Sequence, residues 1–444
     1  MSKIALLLEG NILSEKEIEI QKLPAGNPGI GGTEYLFLLL TYLLSCRNNG
    51  LDVVLLTESK PKRSLHGIDT QLVNDFYDAV QFADKNHFDY LVYRSQELIN
   101  PKRKAAYSQV FNGLKLIMWC HNFLRPCDLD YYVKADCLKA LVCVGKEQMD
   151  VLCDHPLYRK MTYIYNCVNQ TCVTQHRDSF VPFAQRKHMV TYIGSLVPMK
   201  SFHVLAYAWP KVLEKIPDAE LHVIGSSKLY QSRVQLGKLG LAKWDYEDYF
   251  LHPLTKNGEL LPNVYFHGLM GEDKNDILAQ TKVGVPNPLG TGETFCLSAV
   301  EMQLMGAKVV AMKCCGYMDT VFDGVLCKRR DQLADSIVEA LWSDSFDYEG
   351  ALAYFKQNFS QSLFVEKWET LFKGGFPSTD EMDRHPDFRH KKLKRLLMKI
   401  KTRFPLLRCI PALEVIKNYF DQNILKRIYF RIPSRKFDQI DWIN

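Results

Sequence analysis

YIGSLVPMKSFHVLAYAWPKVLEKIPDAELHVIG (192–225) reads as strand, loop, helix and strand in succession. MVTYIGS (189–195) and AELHVIG (219–225) are short apolar runs of strand length, and residues 201–215 between them repeat apolar side chains at helical spacing. Two strands joined by a crossover helix pair in parallel, so this stretch predicts an α/β fold. The pattern continues in NVYFHG (263–268), KVGVPNP (282–288) and KVVAMKC (308–314). It also precedes the stretch, in KIALLLEG (3–10), DVVLLT (52–57), FDYLVYR (88–94), LKLIMWC (114–120) and LKALVCVG (138–145). Two similar α/β units in tandem are therefore expected, 1–170 and 171–375, with an insertion at 226–262 and a tail at 376–444. A helix at about 361–373 is expected to close the second unit, and the tandem implies a cleft between the two. Ligands of open parallel sheets sit beyond the carboxyl ends of the strands, so the loops there hold the candidate chemistry.

The composition, with 444 residues, 47% hydrophobic and 24% charged, is that of a globular chain. No apolar run approaches the roughly 20 residues that cross a bilayer, and MSKIALLLEG is too short in its apolar part for a signal peptide, so a cytoplasmic protein is expected. Thirteen cysteines without zinc-ligand spacing fit reduced thiols. Charge is uneven. Residues 384–444 hold 16 Lys/Arg against 5 Asp/Glu, a net +11, which leaves −5 on the remainder of a chain whose total is +6. In KKLKRLLMKIKTRF (391–404), Leu393, Leu396, Leu397, Ile400 and Phe404 recur at helical spacing with Lys/Arg on other faces. This predicts a basic amphipathic helix that binds an anionic membrane surface through 384–436, on the inner face of the cell membrane. A helix packed on the body or on a partner is the alternative; nucleic acid is not expected, because no stacking motif accompanies the charge.

GETFCLSAVEMQLMG (292–306) carries two carboxylates eight residues apart. On a helix, Leu297, Val300 and Leu304 would form the buried stripe, and Glu301 falls on it. A carboxylate there needs a basic side chain, a backbone donor or ligand hydroxyls. Glu293 lies before the helix in a loop with Pro286, Pro288, Gly290 and Gly292, where a helix start favours phosphate. In NPGIGGTEYLFLLL (27–40), Gly29, Gly31 and Gly32 precede another helix, as a ligand loop or as a plain tight turn. His121 follows LKLIMWC at a strand end and could donate to a sugar hydroxyl or handle a proton, or be structural. Lys200, after the loop SLVPM, could neutralise a diphosphate or stand in solvent. Asp128 and Asp130 form an Asp-x-Asp of the kind that holds a divalent metal elsewhere, but so short a match arises by chance.

Together the GGTE before a long apolar helix, 192–225, and NPLGTGETFCLSAVEMQLMGAKVV (287–310) resemble glycosyltransferase family 4, retaining enzymes of the GT-B fold that include bacterial surface-polysaccharide and lipopolysaccharide transferases. The Glu293-x7-Glu301 pair, Phe295, Ala299 and Gly306 are the most specific part of the resemblance, which runs over about residues 1–375 and leaves out the tail. It implies that Glu301 binds the nucleotide ribose, that Glu293 lies against the donor sugar with the amides of Thr294 and Phe295, and that Lys200 faces the diphosphate. Gly31 and Gly32 would line the cleft, and His121 would contact the sugar near its anomeric centre. The implied reaction is transfer from a nucleotide sugar to a glycan or lipid-linked acceptor with retention, by front-face attack, with no metal or other cofactor. Two positions depart from the family. Ser195 stands where an Arg usually precedes the Lys by five residues, and Cys315-Gly316 replaces paired glycines. A non-catalytic nucleotide-sugar-binding protein, or a GT-B-like epimerase or phosphorylase, is the alternative.

Overall fold

The computed structural model describes residues 2–47, 50–95, 98, 101–109, 111–169, 180–227, 234–375, 383–421, 423 and 437. The chain divides into two compact units, Met1–Cys167 with Gln361–Tyr419, and Val168–Ser360 with Phe420–Trp442.

The first unit is built on a seven-stranded parallel sheet of order β3-β2-β1-β4-β5-β6-β7. Its strands are β1 (Ser2–Leu8), β2 (Leu51–Thr57), β3 (Asp69–Leu72), β4 (Tyr90–Arg94), β5 (Lys115–Cys120), β6 (Leu138–Cys143) and β7 (Met161–Tyr163). Ile4 of β1 pairs with Val53 on one side and Tyr90 on the other, and Ile4–Leu8 are buried. A central strand covered on both faces requires such an unbroken apolar run. The helix Gly32–Ser45 buries Tyr35–Leu40 without interruption.

The second unit carries a six-stranded sheet of order β12-β9-β8-β13-β14-β15. These strands are β8 (Met189–Ile193), β9 (Glu220–Ile224), β12 (Val264–Gly268), β13 (Val283–Gly284), β14 (Lys308–Met312) and β15 (Val325–Cys327), all paired in parallel. The helix Phe202–Lys215 crosses from β8 to β9 and buries Phe202, Leu205, Trp209 and Val212, the stripe its spacing predicts. The reversal of strand order at β8 puts the loops after β8 and β13 side by side, a topological switch point.

The segment read as an insertion is woven into the core of this unit. Its helix Trp244–Leu251 buries Tyr246 and Phe250 among the residues under the sheet, and a two-stranded hairpin, β10 (Thr255–Lys256) with β11 (Glu259–Leu260), follows. The buried Glu247 carboxylate accepts the amides of Leu239, Leu241 and Ala242 at 2.6, 2.7 and 2.9 Å, which anchors the preceding loop.

Two expectations about the end of the chain change. The helix Gln361–Phe372, expected to close the second unit, belongs to the first. Its Trp368 lies 4.9 Å from the ring of Trp119, Phe372 lies 5.7 Å from Tyr90, and Gln361 donates to the Pro24 carbonyl at 2.8 Å. An amphipathic stripe states that a helix must be covered, not by which sheet. The tail also packs on the first unit, and with the opposite face to the one expected. In the helix Lys391–Arg403 the buried residues are Lys391, Lys394 and Lys401, whereas Leu393 and Leu396 are exposed. Lys391 meets Glu147, Asp150 and Asp383 at 2.6, 3.3 and 2.8 Å, Lys394 meets Glu414 at 2.8 Å, and Lys401 donates to the carbonyls of Asp154 and Pro411. Burial opposes the Lys391 charge, but Glu147 and Asp383 override it and hold its ammonium above the ordinary range. Two of the acids that reverse the face, Glu147 and Asp150, come from the short helix Lys146–Asp150, some 240 residues earlier, partners no local pattern encodes; Asp383 and Glu414 lie within the tail region itself. Of the stretch 384–436, residues 422 and 424–436 lie outside the described residues.

Candidate functional site

In the second unit the loops after β8, β9 and β13 converge with the start of the helix Leu297–Leu304. Gly194 and Gly225 end β8 and β9, and their backbones approach so closely that a Cβ on Gly225 would lie 1.9 Å from the Gly194 carbonyl oxygen. With φ at +139°, Gly225 also occupies backbone space that other residues rarely adopt. The Ser195 hydroxyl donates across this junction to the Ser226 carbonyl at 3.0 Å and is buried. The buried Tyr192 hydroxyl donates to the carbonyls of Ser195 and Lys200 at 3.2 and 3.0 Å, which ties down both ends of the loop that presents Lys200.

Lys200 forms an ion pair with Glu293. The Glu293 side chain is almost wholly buried, and Asn287 fixes it, donating through Nδ2 to Glu293 Oε1 and to the Thr291 carbonyl, each at 3.0 Å. Asn287 is in turn held by Tyr317, whose hydroxyl lies 3.0 Å from the Asn287 carbonyl and 2.8 Å from that of Pro286. The Gly316 amide donates to the Glu293 carbonyl at 3.1 Å, and a Cβ on Gly316 would sit 2.8 Å from the Phe295 amide nitrogen. Of the pair Cys315-Gly316, the second position requires glycine, and Cys315 is buried. Thr294 and Phe295 are buried between these supports, with Phe295 edge-on to Phe359 at 5.0 Å.

Cys296 caps the helix with φ +65° and ψ 78°, left-handed backbone that a non-glycine residue adopts only under constraint. That turn carries the chain from the Glu293 loop into the helix. Burial, followed by the nearby Glu293 charge, pushes the Cys296 thiol up to about 12, so it is no nucleophile.

The helix itself corrects the expectation for Glu301. Ala299, Val300, Met302, Gln303 and Leu304 are buried, and Leu297, Ser298 and Glu301 share the more open face. Met302 packs beneath Gly284, and the Gln303 side chain takes the Thr320 carbonyl and the Phe322 amide at 3.0 and 2.9 Å. With apolar or matched neighbours on most sides, the periodicity of this helix could not indicate which side stays open. The Glu301 side chain keeps 30% of its exposure and faces Lys274 at 3.7 Å, whose ammonium also lies 3.4 Å from Glu272. Desolvation raises the Glu301 pKa against the pull of Lys274.

In the first unit, Gly31 caps the helix Gly32–Ser45, and the Glu34 carboxylate folds back so closely that a Cβ on Gly31 would lie 2.1 Å from it. Arg94, at the end of β4, reaches Glu34 at 3.5 Å and Glu9 at 3.1 Å, and Arg103 meets Glu9 at 2.9 Å. His121 follows β5 with its ring 4.5 Å from Trp119 and 6.0 Å from Phe37. Burial first, then the Arg94 charge, lowers its pKa from 6.5 to about 3, so the imidazole is neutral near pH 7. A neutral imidazole carries one donor and one acceptor nitrogen. Asp128 and Asp130 diverge: Asp128 takes the Leu98 amide at 3.3 Å, and Asp130, 87% exposed, lies 3.4 Å from His155. No group of three candidate metal ligands occurs among the described residues.

Residues 187–343 match the family described as glycosyl transferases group 1. That stretch is nearly the whole second unit and contains Ser195, Lys200, Glu293, Thr294, Phe295 and Glu301. No curated protein matches the chain. Among solved structures, α,α-trehalose 6-phosphate synthase from Burkholderia multivorans is similar at 13% identity and a TM-score of 0.62 over 84% of this chain and 96% of that one. The catalytic domain of starch synthase IV from Arabidopsis thaliana, bound to ADP and acarbose, is similar at 11% identity and a TM-score of 0.53 over 84% and 99%. TarM of S. aureus is similar at 17% identity and a TM-score of 0.50 over 66% of this chain, which spans 57% of TarM. The fold is GT-B, two Rossmann-like α/β units.

Sequence reasoning missed Asn287, Lys274, Tyr192 and the Arg94–Glu34 pair. Asn287 stood in the quoted loop NPLGTGE, and a buried carboxylate six residues on was the signal that an amide donor should lie near it. Lys274 had no such cue, because its partner is set by a helix 27 residues away.

Proposed function

We propose that the chain is a retaining glycosyltransferase that moves a sugar, a hexose by the family resemblance, from a nucleotide-sugar donor to a glycan or lipid-linked acceptor in surface polysaccharide or lipopolysaccharide synthesis, without a metal or other cofactor. The observation that carries it is the Lys200–Glu293–Asn287 constellation at the loop that leads into the helix bearing the partly exposed Glu301. A partly exposed carboxylate held on a helix face suits a pair of ribose hydroxyls, whose charge-assisted hydrogen bonds would add to its pairing with Lys274. A cation held over a rigid loop suits the diphosphate that departs. In front-face transfer the bond from C1 to the diphosphate oxygen breaks, the bond from C1 to the acceptor oxygen forms on the same face, and the acceptor proton goes to the leaving phosphate. Lys200 would stabilise the charge that develops there. Glu293 would orient the donor sugar, with the Thr294 and Phe295 amides near its hydroxyls and phosphate. From the first unit, Gly31 and Gly32 would leave room for backbone near the donor, and neutral His121 would hydrogen-bond the sugar. The ADP in the starch synthase structure supports a nucleotide on this fold. We propose that the enzyme is cytoplasmic and associates peripherally with the inner face of the cell membrane through its basic tail; no helix among the described residues is long and apolar enough to cross a membrane.

The test is a thermal-shift screen with UDP-, GDP- and ADP-sugars, followed by release of nucleotide in the presence of acceptors. Stabilisation by one donor that the Glu301→Ala variant loses supports the reading, and no stabilisation by any nucleotide sinks it. Ser195 favours a second reading. Its hydroxyl is spent inward on Ser226, so the position adds no second cation to Lys200, as a binding protein without turnover would tolerate. Donor stabilisation without nucleotide release over a broad acceptor panel would select that reading.

A further inference from the structure

With the lysines of the helix Lys391–Arg403 buried against the first unit, its leucines are left exposed among the described residues. Leu393 and Leu396 are 49% and 53% exposed. The turn beyond the helix continues the surface with Phe404 at 52%, Leu406 at 90%, Leu407 at 36% and Ile410 at 46%. Six large apolar side chains within 18 residues are far from the scattered singles of an ordinary surface. The segment 391–410 contains no acidic residue. Its exposed cations, Lys399, Arg403 and Arg408, lie among the leucines in sequence, and Lys392 pairs with Asp387 at 3.0 Å.

We infer that the helix Lys391–Arg403 and the turn Pro405–Cys409 form a wedge that enters the acyl region of a lipid bilayer, apolar side first, with Lys399, Arg403 and Arg408 at the headgroups. This deepens the membrane part of the reading above and reverses its chemistry. An amphipathic helix lying on a membrane usually turns its cations to the headgroups. Here Lys391, Lys394 and Lys401 are consumed in holding the wedge to the protein, so binding draws chiefly on apolar burial. The charge pattern also separates lipid from a second copy of the chain. A two-fold contact through this face would set Lys399, Arg403 and Arg408 against the same three residues of the other copy with no acid to pair them. Anionic headgroups meet them without that repulsion.

The test is sedimentation of the full chain with vesicles of phosphatidylcholine containing phosphatidylglycerol, at low salt and at about 0.5 M salt, where the Debye length falls to roughly 4 Å. Binding should fall only a few-fold with salt, and the Leu396→Glu/Leu406→Glu variant should lose it by about a hundredfold. Lys399→Gln/Arg403→Gln should lose less than tenfold. Equal binding by the leucine variant, or loss of nearly all binding at high salt, would overturn the inference. A wild-type chain that elutes as a dimer and becomes monomeric in the leucine variant would also overturn it, in favour of a second copy. Leu406→Trp keeps the test decisive should the charged variant fold poorly. Its added emission should shift to the blue and be quenched by brominated acyl chains, and unchanged emission would refute insertion. Donor-induced thermal shift is measured on the same samples, so a failed wedge with intact donor binding leaves the proposed activity standing.

Discussion

The helices Leu297–Leu304 and Lys391–Arg403 both depart from the face that their sequences suggest, the first in part, since Val300 and Leu304 are buried as expected but Leu297 and Glu301 are not, the second more fully. The first leaves a carboxylate on its more open side and buries an amide, Gln303. The second buries three lysines and opens its leucines. In both, the deciding groups come from elsewhere in the chain: Gly284, Thr320 and Phe322 around the first, Glu147, Asp150 and Glu414 around the second. What stays open then indicates the chemistry of the missing neighbour. An open carboxylate suits hydroxyls, and open leucines suit hydrocarbon.

The comparison breaks most visibly at Lys391. Lys391→Met should take from the buried Glu147 its cation at 2.6 Å, while Asp150 keeps Lys146 and Arg395, and destabilise the first unit by about 3–5 kcal/mol, read by urea unfolding. An effect under about 1 kcal/mol would mean that the lysine face does not hold the tail. Beside the loop that leads to the other helix, Lys200→Ala should lower kcat/KM for donor turnover about 100- to 1,000-fold, since removal of one preorganised charge costs transition-state stabilisation of that order, and should also cost some stability because it takes the cation from the buried Glu293. Glu301→Ala should raise the donor KM about 10- to 100-fold while kcat changes less, the pattern of a lost charge-assisted hydrogen bond made equally in ground and transition states. A fall in kcat alone would move Glu301 from binding to chemistry.

Two smaller effects sharpen the contrast between the units. His121 binds its proton less readily when folded, so the unfolded chain takes up more protons on acidification. Its contribution is present above the unfolded pKa near 6.5 and is lost as pH falls towards about 3, with about 1 kcal/mol going between pH 6.5 and 5.5. His121→Asn should flatten that slope in pH-dependent denaturation. Cys296→Gly should raise stability by about 0.5–1 kcal/mol through relief of its left-handed backbone, offset in part by the freer unfolded chain. A loss of stability there would show that the buried thiol contributes more than its backbone costs.

The alternation of strands and helices was legible because a parallel sheet demands short apolar runs separated by crossover helices, and residues 189–225 state that demand locally. The loop before the helix Leu297–Leu304 was legible for the same reason: Gly306 before a strand and a carboxylate beside a helix start are patterns within about 15 residues. Asn287 beside Glu293 was within reach of the same reading. Lys274 opposite Glu301, the Trp119–Trp368 contact and the acids under Lys391 were not, for each joins segments that only the folded chain brings together. By itself, then, the sequence determined which segments are strands and helices and which loops hold polar groups near strand ends, since those depend on neighbours in the chain. The tertiary structure alone decided which face of a helix is open, because a charge or a leucine is buried only where a distant segment supplies its partner.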